Sequence, residues 1–560
     1  MIETPNNSET TTNSSPWICQ GTSANSHPEI ENWGDSCMFP GCKNNRENLT
    51  KTKIISPSRK DRKLKLILGI ALAVIASLGS GVYLWQKFKP CPEGRAKLNR
   101  TCVVIDNPNP SNTPTRDSTT QINPPTKISN IPTSSPSSTP FNPEWISQSD
   151  RVLFKGNSNK YRDDGIKAFK QGNYAVAIQN LDKAVFSDRN DPEVQIYLNN
   201  AQAAFQGSPL KIAVVVPVEN KETSAKEMLR GIADAQTQFN YAGGAGGKLV
   251  QVDIANDGNE PQRAQTIAQK LASDLNILGI IGHNSSSASE KALFEYEKAN
   301  LAIISPTSTS TSLKSNYFYR TVPSDEITGK KLAQYADQTG INRVAVFYNP
   351  HSSYSKSLQN VFEAHFQKLG GKVSGSIDLS DSNFDPRQQI QAIQGQVDAI
   401  ALFPNTNTTS VAIGIARANT ELSAQKLPMI GGDALYSSQT LNNGGSAVDD
   451  LVIAVPWFAT NQPYAKQANQ RWMGTVNWRT AASYDATQAL LQAIAASPNP
   501  TRSSVEQNLR LINLTSSQTS GESLSFTNGE RAGNGVLVQV VPGAIGKPRE
   551  MTNGFKLIEP

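Results

Sequence analysis

The chain has 560 residues, room for two or three domains, and a formal charge of +6 with only 18% charged residues. That balance excludes a strongly basic nucleic-acid binder. Residues 1–60 and 103–145 are rich in Asn, Ser, Thr and Pro with few aromatics, so they hold too little apolar surface to offset the entropy of ordering.

From the N-terminus, Cys19, His27, Cys37 and Cys42 are the residue types of a Cys3His zinc site. They contain no tight CxxC pair, which favours free thiols instead. Seven Lys and Arg between Lys51 and Lys65 then lead into the uncharged run "LILGIALAVIASLGSGVYLW", Leu66 to Trp85. A helix over it spans roughly 30 Å, the hydrocarbon thickness of a bilayer. Tyr83 and Trp85 suit the interface, and the basic flank puts residues 1–65 in the cytoplasm. The expectation is an uncleaved, single-pass membrane anchor, with everything after about residue 86 outside. The polar stretch before it is far longer than a signal peptide's n-region. Outside, Cys91 and Cys102 are free to oxidise and close a small loop. The Pro- and Ser-rich residues up to 145 form an extended stalk of up to roughly 100 Å.

At Tyr161–Phe205 the apolar period changes to three and four. Gly165, Ala168, Gly172, Tyr174, Ala177, Leu181 and Ala184 fall where a tetratricopeptide helix pair packs, and Pro192 starts a third helix. One and a half repeats are too few for a long peptide groove. A helical cap beside the next domain and a docking site for a partner both remain open over 146–207.

From Lys211 onward, short Val- and Ile-rich runs alternate with helical stretches: "KIAVVVPV", "LVQVDIAND", "ILGIIGH", "LAIISP", "RVAVFYNP", "VDAIALFPN", "LVIAVPWF". Near-continuous apolar strands and βαβ order predict parallel sheets buried on both faces. Some 350 residues exceed one sheet, so an α/β fold of two doubly wound lobes is expected over 208–560. Strands at Ile277–Gly282 and Leu301–Ile304 are joined by one helix, so the hydroxyl runs after them, Ser285–Ser287 and Thr307–Thr311, leave the same sheet edge. Hydroxyls beside a helix N-terminus make a site for a small anion such as a carboxylate. Ordinary capping accounts for part of the pattern.

The ordered set of Gly-His, a Ser run and "ISP" followed by Ser and Thr, with "GESLSFTNGERAGNGVLVQV" near the end, resembles the type I periplasmic binding proteins, in particular the leucine/isoleucine/valine-binding branch. The resemblance covers about Lys211 to Gln539. It implies lobe 1 at about 208–325 and 456–515, and lobe 2 at about 326–455 with the C-terminal strands 521–545. It also implies that Ser286 and Thr309 bind the carboxylate of an amino acid, that the Thr307 backbone helps hold its ammonium, that Tyr354 lies over the ligand and that Asp433 pairs with the ammonium. Asp433 as a helix cap and Tyr354 as a surface aromatic are the plainer readings. Two departures stand out: the loop Lys221–Ala225 lacks an aromatic, and Asn405 and Thr406 stand where the family often has another. The side-chain pocket is thereby turned toward polar groups.

Catalysis is not expected. His283 beside serines has no G-x-S-x-G elbow or assigned acid. "GGAGGKL" has Ala242 where a P-loop needs its first Gly, and Leu249 where it needs Ser or Thr. His351 and His365 stand alone, and no cofactor is implied. The resemblance implies an extracytoplasmic solute-binding protein whose closed form is recognised by ABC permease subunits. A ligand-sensing receptor is the alternative.

Overall fold

The computed structural model describes residues 139–156, 158–423, 425–542 and 554–558, and the backbone of four short strands, β1 (Trp17–Cys19), β2 (Ile30–Asn32), β3 (Arg95–Leu98) and β4 (Thr101–Val104). The chain divides into two units, Met1–Asn130 and Ile131–Pro560. In the first, β1 pairs antiparallel with β2, and β3 with β4. The expected membrane span at 66–85, the side chains of the Cys/His set and the Cys91–Cys102 pairing lie outside the described residues. Among the described residues no helix is long and apolar enough to cross a membrane.

The second unit opens with β5 (Ile146–Ser147) and three helices, α1 (Lys160–Lys170), α2 (Tyr174–Ser187) and α3 (Pro192–Gln206). Asn159, Asn173 and Asp191 cap them by accepting from backbone N–H groups. Gly165 lets α1 approach α2, since a Cβ there would lie 2.7 Å from Leu181 Cγ.

Lobe 1 is built on β6 (Leu210–Val216), β7 (Val250–Asn256), β8 (Ile277–Ile281), β9 (Ile303–Ser305) and β10 (Phe318–Arg320). Its helices are α4 (Glu222–Tyr241), α5 (Pro261–Ser273) and α6 (Ser286–Lys298). Lobe 2 follows with α7 (Asp325–Gln338), β11 (Arg343–Tyr348), α8 (Ser353–Lys368), β12 (Lys372–Asp378), α9 (Pro386–Ile393) and β13 (Ala399–Phe403). It continues with α10 (Thr409–Leu422), β14 (Met429–Gly431), α11 (Ser438–Gly444) and β15 (Val452–Val455). The chain then returns to lobe 1 with α12 (Pro463–Arg471), α13 (Trp478–Ala495), α14 (Arg502–Arg510), β16 (Asn513–Leu514), β17 (Leu524–Thr527) and β18 (Glu530–Arg531). It ends in lobe 2 with β19 (Val536–Val540) and β20 (Phe555–Ile558).

The two mixed sheets run β16-β17-β18-β10-β9-β8-β6-β7-β5 and β12-β11-β13-β14-β15-β19-β20. Central strands such as β8 and β13 are buried at every position, as strands covered by helices on both faces must be. Each of the seven apolar runs forms a strand, and β8 lies parallel to β9, with Ile280 opposite Ile303 and Ile281 opposite Ile304.

Two expectations are corrected. The segment 521–545 does not go to lobe 2 as a whole. β18 pairs with β10 of lobe 1, aided by the Arg320–Glu530 ion pair at 3.0 Å, and only β19 pairs with β15 of lobe 2. The crossing between them needs Gly535, which sits at φ +58 with room for a Cβ blocked by Val455 O at 2.8 Å. The lobe 1 sheet also begins before residue 208, because β5 adds to its β7 edge, with Ile146 opposite Ala255. Helix α3 is built into the same lobe: the Asn200 side chain donates to Val252 O at 2.8 Å and accepts from Val252 N at 2.9 Å.

Candidate functional site

Because β8 and β9 are parallel neighbours, the two hydroxyl runs leave one sheet edge together. Ser285 caps α6 by accepting from Ala288 N, and Ser286 accepts from Ser310 N at 3.2 Å, which joins the first run to the second. The carbonyl of His283 draws the loops in further by accepting from Ser305, Thr307 and Ser308 hydroxyls at 3.3, 3.0 and 3.3 Å. Beneath them the fully buried His283 ring contacts Asp257 at 2.7 Å through Nδ1 and the Tyr296 hydroxyl at 3.1 Å through Nε2. Both ring nitrogens are thus committed to the core, and His283 positions the cradle instead of activating a serine.

Lobe 2 supplies the opposite wall. Tyr354, in the first turn of α8, donates to Asp433 Oδ1 at 2.5 Å. Gly432 makes room for this pair, since a Cβ there would meet the Tyr354 hydroxyl at 2.4 Å. Burial pushes the Asp433 carboxyl above its usual range, while the Tyr354 hydrogen bond and the Arg479 charge draw it back. Burial and the neighbouring carboxylates hold the Tyr354 hydroxyl well above its ordinary value. Asn405 turns the loop after β13, accepting on Oδ1 from Asn407 N and Thr408 N at 3.2 and 3.1 Å.

A cavity of about 280 Å³ lies between these walls. Of the residues singled out from the sequence, Ser286, Thr307, Tyr354, Asn405 and Asp433 line it, as do Ser285, Ser287 and Thr406. Thr309 does not line the cavity. Its carbonyl accepts from Asp325 N at 2.8 Å, and it is buried behind the wall where the chain crosses between lobes. His351 also lines the cavity. Among the described residues no three His, Cys, Asp or Glu are grouped to hold a metal. The lobes meet across the cleft, where Lys221 Nζ donates to Thr406 O at 2.8 Å and Thr311 N to Ser357 Oγ at 2.9 Å.

Trp478 and Arg479, at the start of α13, line the cavity too, and the sequence did not mark them. Their segment, "NWRTAASYDATQALL", reads as an ordinary helix start, with Asn477 accepting from Arg479 N and Thr480 N.

Asp325 gives this region a pH dependence. Its carboxylate is fully buried with no well-formed hydrogen bond. Burial, with the Asp433 charge adding to it, raises its pKa from 3.8 to about 7, offset only in part by the Ser357 and Thr309 hydroxyls and Arg320. A raised carboxyl keeps its proton in the folded state where the unfolded chain has lost it. Its contribution is therefore fully present below 3.8 and lost as pH rises through about 7. Asp325→Asn should stabilise the chain at pH 8 relative to pH 5, by an amount on the order of 2–4 kcal/mol. Urea unfolding at the two pH values measures this, and an equal effect at both would show that Asp325 ionises normally.

The sequence pattern of the periplasmic binding proteins matches residues 209–544. An "Amino acid binding protein" of Pseudomonas aeruginosa is 27% identical over 168 residues, 28% of this chain and 45% of that protein. A "Leucine-, isoleucine-, valine-, threonine-, and alanine-binding protein" of the same organism is 23% identical over 33% of this chain and 51% of its own length. The chain thus spans about half the length of the first curated relatives it matches. Among solved structures, a leucine-binding protein from Thermotoga maritima superimposes with a TM-score of 0.55 at 21% identity, covering 62% of this chain and 98% of that one. A branched-chain amino acid binding protein from Streptococcus pneumoniae, solved with isoleucine, gives 0.54 at 17% identity, covering 63% and 100%. Both likenesses show the fold, a pair of α/β lobes around a cleft. With the family pattern spanning more than half of its length and a two-lobed cleft to match, the chain belongs to the periplasmic binding protein family, whose members bind ligands and are not enzymes.

Proposed function

We propose that this protein is the extracytoplasmic substrate-binding component of an ABC importer and that its ligand is a free amino acid. The observation that carries the reading is the division of the cavity wall. Ser286, at the start of α6, offers its hydroxyl proton and the first-turn backbone N–H groups to an anion, the Thr307 backbone stands beside it, and Asp433 with Tyr354 faces them as a buried acceptor for a cation. An α-carboxylate and an α-ammonium are held by such a pair, and excluding water on closure strengthens both contacts. The amino acids in the names of the relatives agree with this chemistry. Thr309, set behind the wall, would act on the ligand through the loop that it shares with Thr307. The closed form is what a permease would recognise. In this proposal Leu66–Trp85 anchors the chain in the inner membrane, the stalk up to 145 spaces the lobes from it, and α1–α3 form a tetratricopeptide-like cap on lobe 1.

The test is a thermal shift of the full-length chain against a panel of amino acids, amides and urea. A ligand at a hundred times its Kd should add about 2.7 kcal/mol, roughly 5 °C in Tm. A flat response across the panel would sink the binding claim. Loss of uptake of the same ligand in a deletion strain separates import from sensing.

A further inference from the structure

We infer that the amino acid held in this cleft carries a side-chain carboxylate, and that Arg479 is the residue that selects it. The inference rests on reading the cleft as an amino acid site and adds the class of side chain. Among the described residues no Val, Leu, Ile, Met or Phe lines the cavity, and its apolar surface comes from Pro261, Ala434 and the Tyr354 and Trp478 rings. An aliphatic side chain would therefore meet no branched aliphatic partner and would face the amide and hydroxyl groups of Asn259, Asn405 and Thr406.

Arg479 supplies what the wall lacks for such a ligand. Its guanidinium stacks on the Trp478 ring at 4.2 Å, which fixes its plane, and the residue is 6% exposed while lining the cavity. Among the described residues the guanidinium makes no hydrogen bond. Its ion-pair partner, Glu227, stands at 3.7 Å, too far for one, and the Arg479 charge also acts on Asp433. Beside it the buried Trp478 Nε1 also lacks a partner. A buried Arg with free donors in a cavity wall is completed by a planar anion, which it grips in bidentate fashion. A carboxylate at the distal end of the ligand meets that need, and the Trp478 indole is a further donor for it. The ligand then reads as an acidic amino acid: α-carboxylate to Ser286 and the N-terminus of α6, α-ammonium to Asp433, side-chain carboxylate to Arg479.

Titration calorimetry of the full-length chain with glutamate, aspartate, glutamine and leucine tests this. At least one of the two acids should bind about 100-fold tighter than leucine. Arg479→Gln should weaken the acid by about 100-fold while leaving glutamine within about threefold, and Arg479→Lys, which keeps the charge without the fork, should fall between. Leucine binding tighter than both acids, or acids indifferent to Arg479→Gln, would overturn the inference and leave the amino acid reading standing. No binding by any amino acid would overturn both. Unchanged melting of the ligand-free variants shows that the losses come from the contact and not from the fold.

Discussion

Replacing Asp433 with alanine is expected to abolish useful binding of any α-amino acid. Asp433 is the acidic residue that lobe 2 presents to the proposed ammonium position, and it is 7% exposed with a Tyr354 hydroxyl at 2.5 Å. Removing it leaves the ligand's cation in a water-poor cleft without its counter-charge. Truncating one partner of a buried charge pair costs about 3–5 kcal/mol, roughly two to three and a half orders of magnitude in Kd. The same change frees the Tyr354 hydroxyl, so the Asp433→Asn variant is the needed companion. It keeps an acceptor for Tyr354 and removes only the charge. Both variants should lose amino acid binding by calorimetry, with Asp433→Asn melting close to the parent. Wild-type affinity in Asp433→Asn would show that the carboxylate serves Tyr354 and the fold alone, and the ammonium partner would have to be sought elsewhere in the wall.

Gly231→Val should unfold most of the ligand-binding unit. Helix α4 crosses α13 at this glycine so closely that a Cβ would lie 2.1 Å from Thr480 O and 2.6 Å from Tyr484 N. Both are backbone atoms of a buried helix, so no rotamer change relieves the clash, and α13 would have to move away from the lobe. Overpacking a core usually costs 1–3 kcal/mol, and a β-branched side chain against backbone puts the cost at about 4–5 kcal/mol, near the whole stability of many domains. The first residues of α13 are Trp478 and Arg479, so any variant that survives should also show a displaced cleft wall and weakened binding. Gly375→Ala is the control, because a Cβ there meets nothing within 4 Å. Melting followed by circular dichroism should separate the two by many degrees. A Gly231→Val chain that melts with the Gly375→Ala chain would mean that α4 and α13 do not touch here.

Much of the fold was legible because its signals are local. A strand buried on both faces has to be apolar throughout, so "ILGIIGH" and "VDAIALFPN" announce β8 and β13 without reference to anything else. Right-handed crossovers then bring β8 beside β9 and place both hydroxyl runs at one edge. Short strands that are defined by their partners were less visible. β10, β14 and β18 have only three, three and two residues, and they carry little periodicity of their own. The allocation of the C-terminal strands failed for that reason: which lobe receives 524–531 is decided by the pairing of β18 with β10, not by any property of the segment.

The site divides in the same way. By itself the sequence determined the alternation of strands and helices and the two hydroxyl runs, and the resemblance carried by the order of its motifs gave the expectation of an amino acid grip at Ser286, Thr307, Thr309, Tyr354 and Asp433. A strand followed by its loop fixes such positions within a few residues of chain. Tertiary structure alone decided that Thr309 turns behind the wall toward Asp325 while Thr307 lines the cavity. It also decided that Trp478 and Arg479, about 190 residues beyond Ser286, complete the cavity. Their presence depends on how closely α13 packs against α4 through Gly231 and on where the chain recrosses between lobes. Nothing near Arg479 in the chain shows that, among the described residues, its guanidinium ends without a hydrogen-bond partner; that follows only from the elements folded around it.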